Sequence, residues 1–404
     1  MEQKKNLSKT TVQKENGLLL NVLYRALRVY FFTRGIKIRP VNKCSKLPEK
    51  PAIVLCNHGS FIDFLYAETL LIKSRPHYIT ARLYFYHKYL GRLLRVLGCF
   101  PKSMFALDTE STKNCLRVLR NGEILAMMPE ARLSTVGRFE DIQPTTYSFL
   151  KKAQVPVYTI KLQGDYFSKP KWGKGLRRGA VVEAELDILF TAEQISQLTI
   201  EQIQTAVEQR LSYDEFSWLE SHPEVHYRSK RIAEGLENVL MLCPVCGKKH
   251  TLYTKGKDIF CKDCGKLTSL NDRYGFPEDF RFRNFAQWYD WQMDVLTQQI
   301  CDDPDYTLQS SVELRLPSDG KGLTRSAGTG SCTLSREGLR YVGTKDGEDV
   351  DVCFPLKQIY RLLFGAGENF EIYNGTEIWY FVPELKQSSV EWYMTSMILY
   401  DKEV

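Results

Sequence analysis

Residues 52–56 read Ala-Ile-Val-Leu-Cys, five apolar positions without a polar break, and they run directly into Asn57-His58. So short and uninterrupted a run predicts a strand covered on both faces, as in a sheet layered with helices. The pattern recurs. Strand-like runs near 77–82, 123–128, 155–162 and 180–187 alternate with helical patterns near 61–73, 86–97, 110–121, 144–153 and 201–212. This alternation predicts an α/β fold class with a layered mixed sheet.

The chemistry-bearing residues cluster where these strands end. Asp63 follows His58 by five residues, close enough for a carboxylate to orient the ring. A general base needs an imidazole held in one tautomer by such an anion. The next strand leads into Met128-Pro129-Glu130-Ala131-Arg132-Leu133-Ser134, placing an acid and a guanidinium two residues apart. Arginine suits phosphate because its fork donates parallel hydrogen bonds. Taken singly, a structural histidine and a surface ion pair account for these residues equally well. A third strand starts at Val155-Pro156-Val157 and is followed by Lys169-Pro170-Lys171-Trp172 and Arg177-Arg178. Cys56 sits inside an apolar strand, which marks an inert thiol rather than a nucleophile.

In order, these blocks resemble the glycerolipid (lysophospholipid) acyltransferase family, over about residues 45 to 215. Asn57-His58-Gly59-Ser60-Phe61-Ile62-Asp63 is similar to the family's Asn-His-x4-Asp block, and Pro129-Glu130-Ala131-Arg132-Leu133-Ser134 to its Pro-Glu-Gly block. Ala131 stands where the family has glycine. Gly98-Cys99-Phe100-Pro101-Lys102 keeps the shape of a further block, but Met104 occupies its usual arginine position, with Lys102 as the substitute charge. The resemblance implies acyl transfer from acyl-CoA or acyl-carrier protein to a hydroxyl of a lysophospholipid or glycerol phosphate, chiefly 1-acyl-glycerol-3-phosphate to phosphatidic acid. It implies His58 as base and Asp63 as its partner. Asn57, Ser60, Lys102, Glu130 and Arg132 would bind substrate, with Arg132 on the acceptor phosphate. The altered arginine block keeps another lysolipid or amino-lipid acceptor open. A non-catalytic membrane adaptor is the reading from outside enzymology.

Cys243-Pro244-Val245-Cys246-Gly247 and Cys261-Lys262-Asp263-Cys264-Gly265 form two knuckles with 14 residues between them. Cys243, Cys246, Cys261 and Cys264 at this spacing predict a small ribbon around a structural zinc, because four thiolates leave no position for a catalytic water. His250 is then surplus. Lysines 248, 249, 255 and 257 permit nucleic-acid binding, but the enzyme half argues for lipid instead.

The first 50 residues carry 12 Lys+Arg against 3 Asp+Glu, whereas residues 301–404 carry 10 against 17. Within the basic front, Asn21, Arg25 and Arg28 form a polar stripe on the apolar run 18–32, which predicts a helix lying in the headgroup layer. No run is apolar enough to span a bilayer, and no cleavable leader is expected. The expected location is peripheral, on the cytoplasmic face of the membrane, with membrane lipid as partner.

From about 308 the pattern turns to short strands near 308–316, 330–335, 338–343, 350–354, 358–363, 369–374 and 376–382, then a helix near 386–400. This order resembles a pleckstrin-homology or GRAM-type domain, a β-rich fold capped by a helix. Its acidic balance argues against phosphoinositide binding. Residues 318–330, rich in Gly and Ser, predict a loop. The expected organisation is a membrane segment at 1–44, the acyltransferase domain at 45–215, linker and zinc ribbon at 216–275, a linking helix at 276–305 and the β-rich domain at 306–404.

Overall fold

The computed structural model describes residues 12–44, 48–106, 108–318 and 322–403. Outside the described residues lie 1–11 of the basic front, 45–47 at the expected start of the α/β domain, and 319–321 of the expected loop. The chain divides into two compact units. One runs to Pro170 and continues over Leu176–Arg228; the other holds Lys171–Gly175, Ser229–Ser318 and Gly322–Val404.

The first unit contains helix α1 (Gly17–Thr33), strands β1 (Lys37–Asn42) and β2 (Ala52–Cys56), α2 (Asp63–Leu71), β3 (His77–Ala81), α3 (Leu83–Tyr86), α4 (Lys88–Val96), β4 (Phe100–Lys102), α5 (Thr109–Arg120), β5 (Ile124–Met127), α6 (Thr145–Ala153), β6 (Val157–Gln163), β7 (Val181–Phe190), α7 (Ala192–Gln197), α8 (Ile200–Leu211) and α9 (Glu215–Glu220). The seven strands lie in the order β1-β7-β6-β2-β5-β3-β4. All neighbours are parallel except β6 and β7, so the sheet is mixed, as expected. All five residues of the central strand β2 are buried, which explains its unbroken apolar run. On one face Ile53, Leu55, Leu125 and Val157 meet Val118, Tyr147, Leu150, Ile203 and Val207 in a common core.

Local signals set the helix ends. Thr191 with Gln194, and Thr199 with Gln202, form reciprocal capping boxes at the starts of α7 and α8. The helix expected over 86–97 is α4, which starts where the His87 side chain accepts a hydrogen bond from Leu90 N; the short α3 just before it was not expected. β1, β4, α7 and α9 were not expected. β1 carries Lys37, Arg39 and Pro40, and its pairing with β7 comes from tertiary context rather than apolar periodicity.

The second unit has a three-stranded sheet of β8 (Leu252–Lys255), β9 (Asp258–Cys261) and β10 (Gly265–Ser269), followed by α10 (Phe285–Asp302). α10 begins nine residues later than expected. Asn284 caps it by accepting from Ala286 N and Gln287 N, while Phe276, Phe280 and Phe282 precede it as an aromatic loop against Trp288. Seven antiparallel strands follow: β11 (Leu308–Pro317), β12 (Thr324–Ser335), β13 (Gly338–Lys345), β14 (Glu348–Pro355), β15 (Leu363–Gly365), β16 (Asn369–Asn374) and β17 (Glu377–Pro383). They are ordered β14-β13-β12-β11-β17-β16-β15. The last helix, α11 (Ser389–Glu403), lays Trp392 flat on Phe370 at 4.3 Å and Tyr393 on Phe364 at 4.9 Å.

Much of the expected loop over 318–330 is strand, since β12 pairs with β11 from Thr324 onward. Its glycines let β13 approach closely on the other side. A Cβ on Gly328 would lie 1.9 Å from Thr344 O, and one on Gly330 would lie 2.4 Å from Val342 O. The strand expected near 358–363 lies further on as β15 and shares only Leu363 with that span, with a 3-10 turn at Leu356–Gln358 before it.

Candidate active site

β2, β5 and β6 run parallel side by side, so their carboxyl ends open on the same edge of the sheet. Open α/β sheets bind ligands at such an edge, where the chain leaves neighbouring strands in different directions. Asn57 extends the ladder past the end of β2. Its Nδ2 donates to Leu162 O at 2.9 Å, and its Oδ1 accepts from Leu162 N at 2.6 Å.

The loop after β5 grips the His58 backbone. His58 N donates to Glu130 Oε1 at 2.8 Å, and His58 O accepts from Ser134 N at 3.0 Å. The other Glu130 oxygen accepts from Glu140 N at 2.8 Å. Glu130 is fully buried and engaged with two backbone amides. This differs from its expected role facing an acceptor: it acts as a brace beneath the histidine.

The ring itself is held from α2. Asp63 opens that helix, where the dipole favours an anion. Its Oδ2 lies 3.0 Å from His58 Nδ1, and Ser60 N donates to both carboxylate oxygens at 3.0 and 2.9 Å. Ser60 Oγ donates to Lys169 O at 3.2 Å. The Asp63 side chain is fully buried, whereas His58 keeps 21% of its side-chain surface exposed. The geometry fits a proton on Nδ1 donated to the carboxylate.

The other expected residues lie apart from this nest. Arg132 is nearly buried, with Nε 3.1 Å from Glu140 Oε2 and Nη2 paired with Asp141, and it lies over the Phe105 ring at 5.6 Å. Lys102 ends β4, three strands along the sheet from β2, and its charge acts on Cys115 beside it. A guanidinium that the sequence reading missed stands next to it. Arg82 N donates to Lys102 O at 3.0 Å, while its side chain binds Asp108 at 2.7 Å and Ser103 at 2.9 Å. Burial pushes the Cys56 thiol well up, and the Asp63, Asp165 and Glu130 carboxyls add to the shift, which keeps it an inert thiol.

Two further buried carboxyls, Asp165 and Glu215, stand behind Asp63. Burial raises all three well above the usual carboxylate range. Burial also lifts Glu130 to about 8, against the opposing pull of the Glu140 and His58 amides. The sequence offered one hint of Asp165, a Gly-Asp pair at a strand exit, and none of Glu215, which reads as an ordinary first-turn acid.

In the second unit the four knuckle cysteines converge, with their sulfurs all within 4.8 Å of one another. Cys243 and Cys264 are 3.9 Å apart, and Cys246 and Cys261 are 3.8 Å apart. These separations are too long for disulfides and close to the edge of about 3.8 Å of a tetrahedron with 2.3 Å zinc–sulfur bonds. Burial tends to raise the Cys261 thiol, but hydrogen bonds from Thr251 and from the Cys264 and Asp263 amides bring it down to about 6. His250 lies outside the set, with Nε2 bound to Glu391 at 2.6 Å.

Ala131 adopts φ 56°, a left-handed conformation that costs a side-chain-bearing residue about 1–2 kcal/mol. Ala131→Gly is therefore expected to raise stability by about 0.5–1 kcal/mol after its unfolded-state entropy is included, read as a higher Tm; a lower Tm contradicts it. A second expectation concerns Glu130. Its folded pKa is raised, so its contribution to stability is complete below the unfolded value near 4.3 and is lost as pH climbs through about 8. Glu130→Gln keeps one acceptor for two amides and should cost about 1–3 kcal/mol at acidic pH. That gap should narrow toward about pH 9, where the wild type must carry a buried charge. Melting curves across this range check it, and a gap independent of pH contradicts it.

Residues 36–163 match the family model described as Acyltransferase. The chain is similar to a 1-acyl-sn-glycerol-3-phosphate acyltransferase of Bacillus subtilis (strain 168), with 22% identity over 152 residues covering 37% of this chain and 74% of that protein. It is also similar to the crystal structure of the 1-acyl-sn-glycerophosphate (LPA) acyltransferase PlsC from Thermotoga maritima. There the identity is 19% and the TM-score 0.37, over 48% of this chain and 76% of that one. With a histidine held against a buried carboxylate inside the matched segment, the protein is an O-acyltransferase.

Proposed function

We propose that this enzyme transfers a fatty acyl group from acyl-CoA or acyl-carrier protein to the hydroxyl of 1-acyl-glycerol-3-phosphate, forming phosphatidic acid. The observation that carries this reading is His58 Nδ1 held 3.0 Å from buried Asp63 at the carboxyl edge of the sheet. With Nδ1 engaged, Nε2 takes the acceptor's hydroxyl proton. The oxygen attacks the thioester carbonyl, the carbon–sulfur bond breaks, and the leaving thiolate recovers the proton from the imidazolium. Asp63 stabilises that imidazolium without itself being protonated. Asn57, Ser60 and Glu130 fix the loop that carries the ring. Arg132 receives the phosphate in place of Asp141, its more exposed partner at 39% side-chain exposure.

A membrane-surface location is supported by α1. Phe31 is its one buried residue, stacked on Tyr66 at 5.2 Å, whereas Leu18 is 78% and Phe32 84% exposed. Among the described residues no helix is long and apolar enough to cross a membrane. In this reading α1 lies in the headgroup layer beside the lipid acceptor. The four converging thiols hold a structural zinc, and the strand order with its closing helix supports a pleckstrin-homology or GRAM-like fold for 306–404. A second reading, an acceptor without a phosphate, is favoured by Arg132 being already paired with Glu140 and Asp141.

Purified enzyme assayed with lysophosphatidic acid, other lysophospholipids and amino lipids separates the two readings. Turnover with phosphate-bearing acceptors is expected, and its absence removes the first reading. His58→Ala should lower kcat by about 10²–10⁴; near-wild-type turnover refutes the mechanism. For the knuckles, elemental analysis should find one zinc per chain, lost in Cys261→Ala together with cooperative melting of the second unit. A metal-free wild type of unchanged stability contradicts the zinc assignment.

A further inference from the structure

Behind the His58–Asp63 pair the protein buries more acid than the mechanism above employs. Asp63, Asp165 and Glu215 are each 0% exposed. Asp165 lies within hydrogen-bonding reach of Asp63 on one side and of Glu215 on the other. Apart from the residue's own backbone amide, no N–H or O–H of the described residues donates to either Asp165 oxygen. Asp165 also packs against the loop that carries the histidine: a Cβ on Gly59, one residue after His58, would lie 2.7 Å from Asp165 Oδ2. At the far end both Glu215 oxygens accept from Gly164 N, at 2.9 and 2.8 Å.

An ionised Asp165 here would be a buried, unsolvated charge pressed against a second carboxylate, which is costly without a compensating donor. A shared proton removes the conflict, as it does wherever two carboxyls occupy one site. We propose that Asp165 is a positioning residue. As a neutral carboxylic acid it donates to Asp63, fixing that carboxylate against His58 Nδ1 and moderating its pull on the ring, while Glu215 in turn donates to Asp165. The chain runs Glu215 to Asp165 to Asp63, and Asp63 accepts a hydrogen bond from His58 Nδ1 on the other side. The titratable groups whose charges face Asp165 are Cys56 on β2, Asp63 and Tyr66 on α2, Tyr213, and Glu215 on α9. None of these is a cation that would hold Asp165 ionised.

This proposal rests on the acyl-transfer reading for its activity readout. Asp165→Ala removes the donor. Asp63 then draws the imidazolium more strongly, so kcat/KM should fall at least about tenfold and the acidic limb of its pH profile should move up by about one unit. Asp165→Asn is the isostere of the protonated acid and keeps a donor. It should return kcat/KM to within about threefold of wild type and restore the limb. If Asp165→Ala leaves the limb in place, or if Asp165→Asn fails to restore it, the proposal is overturned. A second readout needs no turnover. The infrared difference between wild type and Asp165→Asn at neutral pH should show the carbonyl stretch of a protonated carboxylic acid; a carboxylate band in its place overturns the proposal. A wild type that turns over no acceptor would defeat the functional reading alone, leaving the infrared result to decide where the proton lies.

Discussion

The structure of the site depends on one contact, an imidazole nitrogen 3.0 Å from a carboxylate that no water reaches. A buried anion is unfavourable unless donors surround it. Here Ser60 N, the α2 N-terminus and the His58 ring all face Asp63, and a single short loop supplies the three of them. The same loop leaves the carboxyl end of β2, so the base stands where the parallel strands open. Moving the pair by one residue along the strand would turn the ring to the opposite face of the sheet.

The loop itself is held from outside. Glu130 binds the His58 amide and the Glu140 amide, Ser134 N binds the His58 carbonyl, and Asn57 ties the strand end to Leu162. The residues after β5 therefore build the platform on which the histidine sits. Ala131, inside this platform, holds a left-handed backbone that glycine would adopt without strain. The local conformation is fixed by the surrounding hydrogen bonds, since alanine alone would not choose it.

Much of this could be read in the chain because it is local. The apolar run 52–56, the five-residue spacing from His58 to Asp63 and the capping boxes at Thr191 and Thr199 lie within a few residues of the structure they specify. The knuckle cysteines could be read for the same reason. What escaped is long-range. Asp165 and Glu215 reach Asp63 only through the packing of β6 and α9, and no periodicity marks them. Arg82 hides behind Lys102, which looked like the substitute for a missing arginine and lies instead three strands along the sheet. The first half of β12 resembled a loop because its glycines suggest a turn, whereas they serve close packing against β13.

Catalysis by this site depends on the state of one ring. Nitrogen-15 NMR of histidine-labelled protein, at a pH where the His58 ring is neutral, reports which of its nitrogens carries the proton. The account predicts a single tautomer with the proton on Nδ1 and Nε2 bare, a preference that weakens in Asp63→Asn. A proton on Nε2, or an even mixture of tautomers unaffected by Asp63→Asn, would contradict it.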